Sequence, residues 1–109
     1  LYGSAPTMRI VKEVGSEFVK INWDLYHMHI TEGDLCGHLR EGMKANAIGY
    51  IQIADHPGRH EPGTGEIHYP RVFKELQALG YKGHVGLELS PEKGEEAAAK
   101  AVWTADAAW

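Results

Sequence analysis

The period of hydrophobic positions changes several times along the chain, and each change marks an element. In residues 4–14 (SAPTMRIVKEV), Met8, Val11 and Val14 recur at helical spacing. Ser4 is placed to cap this helix, Pro6 suits its first turn, and Gly15 ends it. Residues 17–24 (EFVKINWD) are rich in β-branched and aromatic types and predict a strand. Residues 31–45 (TEGDLCGHLREGMKA) predict a second helix. Its face carries Leu35, Leu39 and Met43 alongside Ile30, and Gly37 and Gly42 weaken it. A second strand is predicted over residues 47–54 (AIGYIQIA). Residues 69–80 (YPRVFKELQALG) predict a third helix, with Pro70 at its start, Val72, Phe73, Leu76 and Leu79 on its face, and Gly80 as its stop. Residues 83–89 (GHVGLEL) predict a third strand, and the Ala-rich segment that Pro91 or Glu92 opens predicts a closing helix.

The order is α-βα-βα-βα, which argues for parallel strands joined by right-handed crossovers. Three such units are fewer than a doubly wound sheet needs, and a closed (β/α)₈ barrel takes about 250 residues. No repeat, low-complexity tract or linker divides residues 1–109, so they read as one partial domain.

Composition narrows the function classes. A net charge of −4 gives no basic face for nucleic acid. No apolar run approaches the roughly 18 residues of a membrane span, and no signal peptide is visible. Leu1 is not a start methionine, so this end is expected to be processed, trimmed or a fragment boundary. The single Cys36 excludes an internal disulfide framework and fits a cytoplasmic protein.

Between the second strand and the third helix lies DHPGRHEPGTGEIH, residues 55–68. A loop this long in a compact domain is functional or disordered, and its varied composition between regular elements points to function. The polar residues at the strand ends extend that pattern. Asp24 and His27 follow the first strand, Gln52 lies near the end of the second, and Glu88 near the end of the third. In parallel α/β folds those ends face the ligand. Asp, Gln and Glu are oxygen donors and suit a divalent ion such as Mg²⁺ or Mn²⁺ better than a thiolate-type zinc site.

Each residue also has a plainer role. Asp24 could cap the next segment, Gln52 could be a hydrogen-bonded core amide, and Glu88 could pair with a lysine. Glu88 resists this most, because VGLEL otherwise reads as a strand buried on both faces, where an unpaired carboxylate is costly. His27 suits a substrate hydroxyl or carbonyl, or equally a backbone bond. DLYHMH has neither a zinc-finger pattern nor HExxH spacing. His38, His68 and His84 read as structural or surface residues. PGTGE lacks the lysine of a phosphate loop. Arg59, in the loop over the strand ends, could hold a carboxylate bidentately or stay exposed and unpaired.

The stretches DLYHMHITEGDL, IQIADHPGRHEPGTGEIHY and GYKGHVGLELSP closely resemble the C-terminal part of the hydroxypyruvate isomerase family, within the xylose-isomerase-like, divalent-metal TIM barrels. The resemblance runs from the first helix through Pro91 and implies a (β/α)₈ barrel, of which this chain matches about strands six to eight with their helices. It implies a divalent metal held by Asp24, Gln52 and Glu88, with Glu88 also catalytic, His27 and Arg59 on the substrate, and residues 55–68 as the seventh strand-to-helix loop. The implied substrate is a small hydroxy-keto acid or sugar, with hydroxypyruvate and tartronate semialdehyde interconverted. The family's first metal-binding glutamate lies on the fifth strand and has no counterpart here; Glu13 and Glu17, on a helix and its exit, do not replace it. The chain is therefore expected either to be part of such an isomerase or to complete itself by homo-oligomerisation or with a missing N-terminal half. A metal- or sugar-acid-binding module without catalysis is the third expectation.

Overall fold

The computed structural model describes residues 3–107. Five helices, α1 (Ser4–Val14), α2 (Leu25–Thr31), α3 (Leu35–Lys44), α4 (Tyr69–Ala78) and α5 (Glu95–Ala107), alternate with strands β1 (Ile21–Asp24), β2 (Ile48–Ile53) and β3 (Val85–Leu87). The strands form one parallel sheet in the order β1-β2-β3. The expected alternation is therefore present. None of these helices is long and apolar enough to cross a membrane.

Two faces of the sheet follow from the two-residue period of the strands. Trp23 pairs in register with Ile51, and Ile51 with Val85, so these side chains share one face. Trp23, Ile51 and Ile53 are fully buried there in a core with Leu25 and Leu39, and with Val72, Phe73 and Leu76 of α4. The other face carries Asn22, Asp24, Tyr50, Gln52 and Gly86, because Asn22 pairs with Tyr50, Asp24 with Gln52, and Gln52 with Gly86. One side of the sheet is thus a dry core and the other a polar surface.

Several boundaries differ from the sequence expectation. The helix expected over residues 31–45 is α3 alone, and Ile30 belongs instead to a separate, unexpected helix, α2. α2 ends at Thr31, Gly33 and Asp34 take positive φ of 71° and 43°, and α3 starts at Leu35, leaving Ile30 exposed. Only Ile21–Asp24 of the first expected strand is paired, and Phe18 is 88% exposed. β3 is not buried on both faces: as an edge strand it leaves Val85 and Leu87 exposed.

Ser4 does not cap α1 from within. Its N–H and hydroxyl both donate to the Glu32 carboxylate, each at 2.9 Å, so a side chain from the α2–α3 turn holds the helix start. Val14, expected on the packed face, is exposed, whereas Met8 and Val11 pack on the core. The closing helix starts at Glu95, not at Pro91 or Glu92. The physical reason is that the Glu92 and Lys93 amides are bound by Glu61, outside any helix.

Gly42, which weakens α3 by propensity, has a packing role. A Cβ there would lie 2.7 Å from Trp23 Cη2 and 2.8 Å from Ile48 Cδ1, so the glycine lets α3 lie against the sheet. Gly42→Ala is expected to lower stability by about 1 kcal/mol net. Overpacking costs about 1–3 kcal/mol, against roughly 1 kcal/mol gained in helix propensity. Urea unfolding followed by tryptophan fluorescence checks this; a more stable variant would show that α3 lifts off the sheet freely.

Candidate active site at the strand ends

The C-terminal ends of β1, β2 and β3 lie along one edge, and the polar face of the sheet meets that edge. Asp24 ends β1 and also caps α2: its Oδ1 accepts the His27 N–H at 3.1 Å. Its Oδ2 lies 3.8 Å from His27 Nε2, and the His27 side chain is largely exposed. Gln52, beside Asp24 in the ladder, accepts through Oε1 from Asn22 Nδ2 at 3.0 Å. Glu88 follows β3, its N–H donating to the Ile53 carbonyl at 3.2 Å, two residues after Gly86, which pairs with Gln52. The Glu88 side chain is 57% exposed. Backbone register thus sets Asp24 beside Gln52 on one face at this edge, and Glu88 directly follows the end of β3 there.

Arg59 reaches Glu88 across the loop. Its Nε donates to the Glu88 carbonyl at 3.1 Å, its Nη2 lies 3.9 Å from the Glu88 carboxylate, and its guanidinium sits 5.2 Å from the centre of the Tyr26 ring. The Arg59 carbonyl accepts the Ser90 N–H at 2.9 Å, and the His60 ring bonds the Ser90 carbonyl. The loop therefore clasps the exit of β3 and sets a cation beside Glu88. Arg59 itself has a positive φ of 62°.

The long loop is organised by residues to which the sequence reading assigned no role. Asp55 is fully buried. Its Oδ1 accepts the N–H groups of His56 and Ile67 at 2.9 Å, and its Oδ2 accepts those of Gly63 at 2.9 Å and Gly65 at 3.0 Å. A single carboxylate thus draws the loop around itself. The Tyr69 hydroxyl closes the base, donating to the Ala54 carbonyl at 2.8 Å and accepting its N–H at 3.2 Å. Burial pushes the Tyr69 hydroxyl well above its ordinary pKa, so it remains protonated.

Glu61, also buried, accepts the Glu92 N–H at 3.0 Å and the Lys93 N–H at 3.5 Å, tying the loop to the approach of α5. Glu66 accepts from His29 Nε2 at 2.9 Å and His56 Nδ1 at 2.7 Å, and these bonds hold its carboxyl below the usual range. The signal for Asp55 was its place directly after a strand and ahead of three glycines, whose free N–H groups can converge on one acceptor. His68, read as structural, caps α4 by accepting the Arg71 N–H at 3.3 Å.

Residues 3–109 match the family described as xylose isomerase-like TIM barrel. The chain belongs to that family. In such barrels the C-terminal strand ends carry the active site, which is the edge where Asp24, Gln52 and Glu88 lie. The 2-oxo-tetronate isomerase of Cupriavidus necator is 44% identical over 88 residues, covering 81% of this chain and 33% of that protein. The hydroxypyruvate isomerase of Escherichia coli is 41% identical over 97 residues, covering 89% of this chain and 37% of that protein. Among solved structures, the family 2 AP endonuclease of Brucella melitensis superposes with a TM-score of 0.83 at 36% identity, over 94% of this chain and 38% of its own. The chain thus spans about a third of the length of the curated relatives it matches, and its fold is that of a portion of a xylose isomerase-like barrel.

The Glu61 contact gives a pH prediction. Its folded-state pKa is lowered, chiefly by the Glu92 N–H. The contact is therefore complete above the ordinary carboxylate pKa of about 4.3 and is lost as pH falls through the lower folded value. Amide protection at Glu92 and Lys93 is expected to persist from neutrality down past the ordinary carboxylate pKa of about 4.3 and to disappear only at lower pH, as the folded Glu61 is protonated. In Glu61→Gln it should be weak at every pH. Protection unchanged across that range in hydrogen-exchange NMR would contradict this.

Proposed function

We propose that this chain carries the substrate-facing edge of an isomerase that moves a proton between adjacent carbons of a small hydroxy-keto acid, hydroxypyruvate or 2-oxo-tetronate. The observation that carries this reading is the placement of Asp24, Gln52 and Glu88 at the C-terminal ends of three consecutive parallel strands, Asp24 paired with Gln52. The isomerase names of the two curated relatives support it.

The donor set fits a divalent ion of the Mg²⁺ or Mn²⁺ class: two carboxylates and an amide oxygen, with no thiolate. Asp24 keeps Oδ2 clear of the backbone bond that occupies Oδ1, and each of the three has a lone pair to spare. Asp24, Gln52 and Glu88 would hold such an ion, which supplies charge stabilisation to the substrate's oxygens.

Glu88 is the proton carrier. Its exposed carboxylate is free to take a proton from one substrate carbon and return it, and the Arg59 guanidinium stands 3.9 Å away. The same guanidinium is within reach of a substrate carboxylate beside Glu88. His27, exposed next to Asp24, is placed to bond a substrate hydroxyl or carbonyl. A proton leaving one carbon for its neighbour needs a second carboxylate on the far side, and the described strand ends offer Asp24 but no second glutamate. That group is supplied by another segment or another copy. The open edges of β1 and β3 support such completion. A soluble, cytoplasmic setting belongs to the same proposal, and the free Cys36 thiol supports it.

Hydroxypyruvate turnover by the 109-residue chain is expected to fall on the order of 10²–10⁴-fold below that of a full-length relative, the usual cost of losing one acid–base group. Glu88→Gln should remove what remains. Chromatographic assay of the aldehyde product checks both. Turnover insensitive to Glu88→Gln would overturn the assignment, and full turnover by the unaltered chain would show that a neighbouring copy supplies the partner carboxylate.

A further inference from the structure

We propose that His29, His56 and Glu66 form a second cation site, separate from the strand-end oxygens, that takes a borderline divalent ion such as zinc. His29 comes from α2, whereas His56 and Glu66 come from the two limbs of the long loop. Nitrogen or oxygen atoms from the three side chains all lie within 4.8 Å of one another. Glu66 Oε1 is the meeting point, 2.9 Å from His29 Nε2 and 2.7 Å from His56 Nδ1. The imidazole centres are 5.0 Å apart. Two imidazoles and a carboxylate are the donor set of three-ligand zinc sites that keep a fourth position open.

The positions are held before any ion arrives. The Glu66 N–H donates to the His56 carbonyl at 2.8 Å, and Asp55 accepts the N–H of His56 and those of Gly65 and Ile67 on either side of Glu66. The two imidazoles are partly buried, and the His56 ring centre lies 5.7 Å from that of Tyr26. Only the Glu66 side chain is exposed. Ligand bonds of about 2.0–2.1 Å in a tetrahedron put ligand atoms about 3.3 Å apart, so Glu66 Oε1 must withdraw by about 0.5 Å and the two imidazole nitrogens, within 4.8 Å of each other, must settle at that same spacing.

Nitrogen donors also separate the two sites chemically. The strand-end site offers only oxygen and suits hard ions, whereas imidazole favours zinc over magnesium. These ligands make no zinc spacing along the chain because they are dispersed, one on a helix and two across a loop. An ion here would pin α2 to the loop beside Tyr26 and His27.

The test is calorimetric titration of the purified chain with zinc in a millimolar excess of Mg²⁺, with Co²⁺ absorption as a second readout. One zinc per chain is expected, bound about tenfold or more weakly in His29→Gln and in His56→Asn. Affinity in Asp24→Asn should be unchanged. Because a variant could lose its fold, the unaltered chain is also followed by imidazole NMR. Zinc should move the His29 and His56 resonances and leave those of His68 and His84 in place. No stoichiometric zinc binding, binding that Mg²⁺ or Asp24→Asn abolishes, or shifts that bypass His29 and His56 would overturn the proposal.

Discussion

A buried carboxylate that accepts four backbone N–H groups is the constraint on which the rest of this structure depends. Asp55 has no cation beside it among the described residues; its charge is met by the amides of His56, Gly63, Gly65 and Ile67. Burying a carboxylate without such bonds would cost several kcal/mol. The loop wraps because the carboxylate needs those donors, and the donors need an acceptor once they leave water. Three of the four belong to residues on the far limb of the loop, so one side chain sets the path of more than ten residues.

That path decides where the chemistry falls. It brings Arg59 and His60 onto the segment after β3, so the guanidinium stands by Glu88. It turns Glu61 toward Glu92 and Lys93, which fixes where α5 can begin. It also sets His56 and Glu66 opposite each other, against His29. The sheet supplies the complementary half of the site, since register alone puts Asp24 beside Gln52 and both on the face of Gly86. The sheet is held by its buried other face, and the loop by its bonds to Asp55.

The parts legible in the sequence were those with a local cause. Helical spacing located α4, with Val72, Phe73 and Leu76 buried as expected, and β-branched runs located the strands. Strand-end polar residues, counted across three units, pointed to the edge at which family members carry their active sites. What was not legible depended on partners distant in sequence. Glu32 caps α1 from 28 residues away, and Glu61 holds amides 31 and 32 residues on. The break between α2 and α3 lay in two residues with positive φ, which apolar periodicity does not report. The exposure of Val85 and Leu87 follows from strand order, a property of the sheet and not of the segment. Asp24 filled the plainer role of a helix cap, which occupies only one of its two carboxylate oxygens.

The most direct test is hydrogen exchange on Asp55→Asn, which keeps the shape of the side chain but turns one of its two acceptor oxygens into a donor. Hydrogen bonds to a charged group contribute about 1.5–3 kcal/mol. Protection at the Gly63, Gly65 and Ile67 amides should therefore fall together, on the order of a hundredfold, and that of Ser90, bound to the Arg59 carbonyl, should fall with them. The β1–β2 ladder should keep its protection. Loss confined to the one or two amides nearest the new donor, with Ile67 and Ser90 unchanged, would show that the loop holds its path without Asp55 and would contradict the account.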